Sequence, residues 1–289
     1  MVDYLAGNRI RGTNAERIAL LSYPDISGGT ENTYSSAGVN YKSHTFLSTG
    51  SLVVTDATDI DILIIGGGGT GGNAQSSNGG AGGGAGGYGV KTGHTLSTGS
   101  KSVTINGAGN TTVFESITAS SGGTGGNGFT SGGNSGTATG NSVTQYQNAG
   151  ASSRGSGGGA GSAGTSGSNS QGAAGTSGGN GLANSFRTGS DEYRGGGGSS
   201  GSNKNSYASA AGVHGGGAGG ARYQSGTAGT VNTGGGGGAG GFNGQGAAGG
   251  SGILIIRYVG TYNVVDGSIF YETDTNKSYV LYNNTWTEL

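Results

Sequence analysis

Six consecutive residues, Gly66-Gly67-Gly68-Gly69-Thr70-Gly71, meet the G-x-G-x-x-G spacing of a dinucleotide-binding turn, directly after the apolar run Ile62-Leu63-Ile64-Ile65. That chemistry requires a helix next, because the pyrophosphate rests on the amides of a helix N-terminus. The residues that follow, Gly72-Asn73-Ala74-Gln75-Ser76-Ser77-Asn78-Gly79-Gly80, cannot sustain one. The acidic residue expected about 20 positions on is missing as well. His44, His94 and His214 stand isolated along the chain, with no acidic or histidine neighbour at ligand spacing. Asp56, Asp59 and Asp61 could hold a calcium ion together with carbonyls, although solvated turn and edge carboxylates are the commoner case. Asp191 and Glu192 are adjacent, so in extended chain they point apart and make a poor acid–base pair. No serine has a nearby histidine partner. The expectation is a non-enzyme with no catalytic residues, no cofactor and no metal.

The remaining chemistry lies in aromatic and polar residues scattered through glycine: Phe129, Tyr146, Phe186, Tyr193, Arg194, Tyr207, Tyr223 and Phe242. Tyr146, Phe186, Tyr193, Arg194, Tyr207 and Tyr223 are the candidate surface-recognition residues, since aromatic faces beside polar groups suit glycan or protein surfaces. The alternative is that these rings plug gaps between glycine segments or between protomers.

The elements that position them follow from the composition. Of 289 residues, 74 are glycine, one is proline (Pro24) and none is cysteine, and 9% are charged. Average glycine usage is about 7%. Collagen is excluded by the single proline and by runs such as Gly234 to Gly238. A disordered glycine–serine linker sits poorly between runs as apolar as Ile62 to Ile65 and Ile253 to Ile256. The formal net charge of −1 and the scattered basic residues leave no electrostatic footprint for nucleic acid. No apolar run is long enough for a membrane helix, so no membrane insertion is expected. Met1-Val2-Asp3-Tyr4 lacks the basic and apolar regions of a signal peptide.

Three unequal parts emerge: residues 1–30, 31–259 and 260–289. In the first, Thr13-Asn14-Ala15-Glu16 reads as a capping box opening a helix of about two turns that Pro24 stops. Ile18 and Leu21 would share its apolar face and dock on another partner. In the second, strands are expected at 41–46, 50–54, 59–65, 89–96, 102–105, 113–119 and 253–259. More than a hundred glycine-dominated residues lie between the last two, too poor in side chains for helix or ordinary sheet. Extended polyglycine II suits them: a threefold helix of about 3.1 Å rise per residue whose backbone groups must pair with neighbouring segments. The third part reads as a meander, 268–273, 278–282 and 285–289. The fold expected is all-β: β-sandwich-like strands bracketing a glycine-rich body with polyglycine II segments, plus a small C-terminal β-meander. Head and tail are each too small for a private core, which points to a homo-oligomer, a trimer being the expectation.

Tyr41-Lys42-Ser43-His44-Thr45-Phe46, Leu52-Val53-Val54, Ile62-Leu63-Ile64-Ile65 with the four glycines after it, and Ile253-Leu254-Ile255-Ile256-Arg257-Tyr258 carry a resemblance. Residues 38–259 resemble the glycine-rich domain of phage tail and virion proteins, and the tail resembles a short module of phage structural proteins. The resemblance implies a virion-surface structural protein assembled in the host cytoplasm: a tail-fibre or adhesin subunit in contact with other virion proteins and a host glycan or protein. The alternative is a capsid fibre, decoration protein or extracellular filament subunit that binds no receptor.

Overall fold

Alternating apolar residues build two facing sheets. The computed structural model of the chain describes residues 2–75, 78–128, 130–168, 173–203 and 210–289. One six-stranded sheet contains β4 (Ile26–Ser27), β7 (Gly50–Val54), β10 (Gly99–Ile105), β11 (Thr112–Phe114), β12 (Ile117–Ala119) and β13 (Ala138–Thr139), in the order β13-β12-β11-β10-β7-β4. The other contains β5 (Thr30–Ser36), β6 (Val39–Phe46), β8 (Thr58–Ile65), β9 (Tyr88–Leu96), β14 (Thr144–Tyr146) and β17 (Ile253–Val259), in the order β14-β9-β8-β17-β6-β5. Leu52, Val54, Val103, Phe114 and Ile117 from the first meet Ile60, Ile62, Ile64, Leu254 and Ile256 from the second. Each such side chain contributes roughly 1.5–3 kcal/mol on full burial. The period of two in β8 sends Leu63 and Ile65 to the opposite face, where Tyr88, Phe186, Ile253 and Ile255 cover them.

The all-β expectation holds. Residues 113–119 are corrected from one strand to a hairpin, with Val113 opposite Thr118 and Glu115 turning the chain at φ 48°. The edge strand β5 escapes sequence reading because Thr-Glu-Asn-Thr-Tyr-Ser-Ser carries no apolar alternation.

The two strands that bracket the glycine body are partners. β8 and β17 pair antiparallel, with Ile65 opposite Ile253. The chain therefore first leaves the sandwich at Gly66 and makes its last return at Gly252 from nearly the same place, coming back in between for β9 to β14. Between those points the body obeys a threefold rule. Gly80, Gly83 and Gly86 donate to Gly240, Gly237 and Gly234; Ala81, Gly84 and Gly87 donate to Gly126, Gly123 and Ser120; Gly82 and Ala85 donate to Gly155 and Gly158. The same segment accepts bonds from Gly66, Gly69 and Gly72, from Gly133 and Gly136, and from Gly198 and Gly201. Every third amide faces the same neighbour, as polyglycine II requires, and six neighbours surround residues 80–87. Residues 234–241 likewise bond to 66–72, 80–87, 196–199, 217–220, 224–227 and 244–250.

Four segments of this lattice are buried throughout: 80–87, 155–160, 195–202 and 234–241. Backbones come so close that a Cβ built on Gly82 falls 1.9 Å from the Gly198 carbonyl oxygen, and one on Gly84 falls 1.9 Å from that of Asn134. Serine enters where its hydroxyl replaces a backbone group. Ser156 Oγ accepts the Thr165 amide at 2.7 Å, and Ser200 Oγ accepts the Thr176 amide at 2.8 Å.

The ends of the chain form one module. β1 (Asp3–Leu5), β2 (Arg9–Gly12), β19 (Ile269–Glu272), β20 (Ser278–Tyr282) and β21 (Thr285–Glu288) make a five-stranded sheet in that order. β2 and β19 pair in parallel with Ile10 opposite Phe270, and Ile10, Leu20 and Phe270 share a core with Trp286. β3 (Leu21–Ser22) pairs with β18 (Thr261–Tyr262) beside it. The meander is present where the sequence placed it, and a strand pair from the head completes it.

Helix α1 (Asn14–Ile18) opens on the expected capping box, with Thr13 and Glu16 each bonding the other's amide. It ends at Ile18, well short of Pro24. The reason is packing: Leu20 turns into the Ile10–Phe270 core and Leu21 enters β3. Ile18 and Leu21 therefore share no helical face, which corrects the expected docking pair. Ile18 is 59% exposed and Leu21 half-buried. The helix is held instead by Arg17, whose Nε donates to the buried Glu272 carboxylate at 2.6 Å while its guanidinium lies 4.0 Å from the Tyr279 ring centre.

Candidate surface-recognition site

Because lattice segments run alternately away from the sandwich and back, their turns collect at two ends. The near end holds Gly66, Gly87, Ser120 and Gly234, which bond to one another or to Ser251 beside the sandwich. The far end holds residues 73–75 and 78, 127–128 and 130–131, 152–154, 221–224 and 242–244. Bonds across this apex link turn to turn: Ala74 to Gly244, Gly128 to Asn73, Arg154 to Thr130, Tyr223 to Phe242 and Phe242 to Ser202. Asparagine amides take over where the lattice stops, with Asn127 Oδ1 accepting the Asn73 amide and Asn73 Oδ1 accepting the Gly246 amide, both at 2.8 Å. From Gly66 to Gly72 the chain climbs roughly 19 Å at polyglycine II rise. The apex is thus the end of the lattice opposite the sandwich.

Among the described residues one aromatic group projects there. Tyr223, at φ 63°, is 61% exposed and meets Phe242 edge-on at 5.1 Å, and the Arg222 guanidinium lies 4.8 and 4.9 Å from the two ring centres. Exposed Asn73, Gln75, Asn127, Gln224 and Asn243 surround it on neighbouring turns. Rings fixed edge-to-face and capped by a cation offer a preorganised apolar spot, and the amides offer paired donors and acceptors. That combination suits recognition of a polar surface; it holds no nucleophile or acid–base pair.

The other candidates are dispersed. Tyr146 ends β14, partly exposed, edge-on to the buried Tyr88. Tyr193 stands exposed on the hairpin of β15 (Leu182–Asn184) and β16 (Glu192–Arg194), at the sandwich end of the lattice. Phe186 and Arg194 are buried, which corrects their reading as surface groups. Phe186 plugs the face of β8 and β17 under the Arg257 guanidinium, 3.9 Å from its ring centre, and Arg194 turns inward to bond Glu192 at 2.9 Å. Tyr207 and Phe129 lie outside the described residues. The Arg222–Phe242 contact is what sequence reading missed for Tyr223. Its signal was present in two lattice turns that each break a glycine run with an aromatic residue.

The residues weighed for chemistry have structural partners. His44 is buried, with Nδ1 2.7 Å from the Gly28 carbonyl and Nε2 2.9 Å from the Tyr258 hydroxyl, and burial lowers its pKa. His94 pairs with Glu115 at 2.6 Å, against the expectation of an isolated ring, because β9 and the 115 turn lie side by side in space. Asp56, Asp59 and Asp61 diverge to the Asp25 amide, the Thr95 hydroxyl and Arg257. Among the described residues no three His, Asp or Glu side chains gather as a metal cluster. Residues 66–71 are a lattice segment, and no helix follows them among the described residues.

The family model of the glycine-rich domain matches residues 45–259. The chain belongs to this glycine-rich domain family. The matched span runs from the end of β6 to the end of β17, so it takes in the lattice and the sandwich apart from β4, β5 and most of β6, and the terminal module lies outside it. A comparison with curated proteins finds no match.

Proposed function

We propose that this glycine-rich domain protein is a structural subunit of a phage virion surface, a tail-fibre or adhesin protein that acts as a homotrimer and contacts a host glycan or protein. In this reading the terminal module attaches to other virion proteins and the lattice carries recognition groups outward. The observation that supports it most is the gathering of the Tyr223–Phe242–Arg222 group and the apex amides at the end of the lattice remote from both termini. On the terminal module Tyr4, Leu5, Val265 and Tyr282 are each more than half exposed, an apolar surface suited to attachment. The plugging role of Phe186 favours the second reading at that one position, a structural subunit without a receptor.

Particles carrying Tyr223→Ala together with Phe242→Ala test the choice. Both side chains lie outside the enclosed segments, so incorporation should match the native protein. Adsorption to host cells should fall at least about tenfold, the usual loss on removing a central aromatic contact. Adsorption equal to native would overturn the apex as the recognition surface and leave the receptor-free reading.

A further inference from the structure

A concave surface lies at the opposite end of the lattice from the apex, between the 182–194 hairpin, the 231–233 turn and the edge of the sandwich. It encloses about 580 Å³, within the range typical of small-ligand sites. Three features define its chemistry. Tyr193 is 55% exposed and its ring is stacked on His214, with centres 4.4 Å apart and planes within 18°. A platform braced in this way stays flat without a ligand. Planar hydrogen-bonding groups line the rest: Asn32, Asn232 and the Arg187–Glu192 pair, in which Arg187 Nε lies 2.8 Å from Glu192 Oε2. The Arg187 guanidinium bonded to it holds the Glu192 carboxyl down at about 2, so it stays an ionised acceptor. Leu47, about half exposed, adds an apolar wall.

From this geometry we infer that the groove binds a pyranose sugar. The flat C–H face of a pyranose stacks on an exposed tyrosine, and its neighbouring hydroxyls match forked groups that donate and accept in pairs. The charges favour a sugar over a polyanion: Glu192 offsets one of Arg187 and Arg194, and Glu31 is paired with Lys42. Ring and polar groups are fixed by contacts within the protein, so little ordering is required on binding. The inference rests on the groove alone and holds whether or not the apex recognises a host.

Saturation-transfer NMR on the purified full chain, with methyl pyranosides of glucose, galactose, mannose and N-acetylglucosamine as probes, tests it. Transfer should reach the ring protons of one face of at least one probe. The signal should weaken about fivefold or more in Tyr193→Ala and persist in Tyr193→Phe, which keeps the ring. Tyr223→Ala at the apex should leave it unchanged. Absence of transfer from every probe, or equal transfer in Tyr193→Ala, would overturn the inference.

Discussion

Gly84→Ala is expected to destabilise the body by at least about 3 kcal/mol, beyond the usual range for overpacking. The reason is the partner of the new methyl group. A Cβ at position 84 falls 1.9 Å from the Asn134 carbonyl oxygen and 2.8 Å from that of Gly133. Both belong to backbone, which has no rotamer through which to yield. To make room, residues 132–136 must move away from 80–87 and lose the bonds from Gly133 to Gly82 and from Gly136 to Ala85. The shift then propagates, because residues 80–87 are bonded on the remaining sides too. Gly107→Ala is the matched control. Gly107 is exposed, its Cβ would meet nothing within 4 Å, and it is not among the glycines at positive φ. That substitution should fall within about 1 kcal/mol of native, and on the stabilising side through loss of unfolded-state entropy. Chemical denaturation of the two variants gives the comparison directly.

Phe270→Ala is expected to cost about 3–5 kcal/mol in the terminal module. Phe270 is fully buried on β19, opposite Ile10 of the parallel strand β2 and 5.9 Å edge-on from Trp286. It is the fully buried ring of that core, with Tyr262 and Trp286 only partly buried against it. Its loss leaves a cavity where the two ends of the chain meet, and a sheet of this size has little else to hold it. The sandwich has its own core of Phe114, Ile62, Ile256 and their neighbours. Limited proteolysis should therefore cut residues 1–25 and 264–289 faster in the variant while leaving the 30–259 region resistant. Loss of the whole chain at one rate would show that module and sandwich unfold as a unit.

Much of this fold was legible in the sequence because the strands carry their own pattern. Ile62 to Ile65 and Ile253 to Ile256 are apolar enough to mark central strands, and they prove to be direct partners. The capping box at Thr13 and the meander turns needed only local chemistry. The interior of the lattice was legible in a way that composition alone hides. Enclosed segments are glycine runs broken only by alanine or serine, as at Ala81, Ala85, Ser199 and Ala239, whereas the outer segment 224–230 carries Gln224, Ser225, Thr227 and Thr230. The exposed sides of a polyglycine II helix can bear side chains and the enclosed sides cannot.

What stayed hidden depends on distant pairing. The parallel bond between β2 and β19 joins residues some 260 apart, and no local signal in Arg9-Ile10-Arg11-Gly12 announces it. Leu21 looked helical because Ile18, Leu20 and Leu21 follow a good N-cap, yet tertiary packing took Leu20 inward. Phe186 and Tyr193 are alike in sequence setting; only the fold of their hairpin buries one and exposes the other. Aromatic residues in a glycine tract mark where the lattice is interrupted, and their exposure is decided by which face of the interruption they occupy.

The central claim is that glycine residues between the two bracketing strands form an enclosed hydrogen-bonded lattice. Amide hydrogen exchange of the native chain, resolved by segment, tests it most directly. The amides of 80–87, 195–202 and 234–241 should exchange slowly, with protection on the order of 1,000-fold or more and comparable to that of β8 and β17. An exposed apex amide such as that of Asn243 should exchange much faster. Exchange of the glycine segments at the rate of an unstructured chain, while β8 and β17 remain protected, would contradict the account.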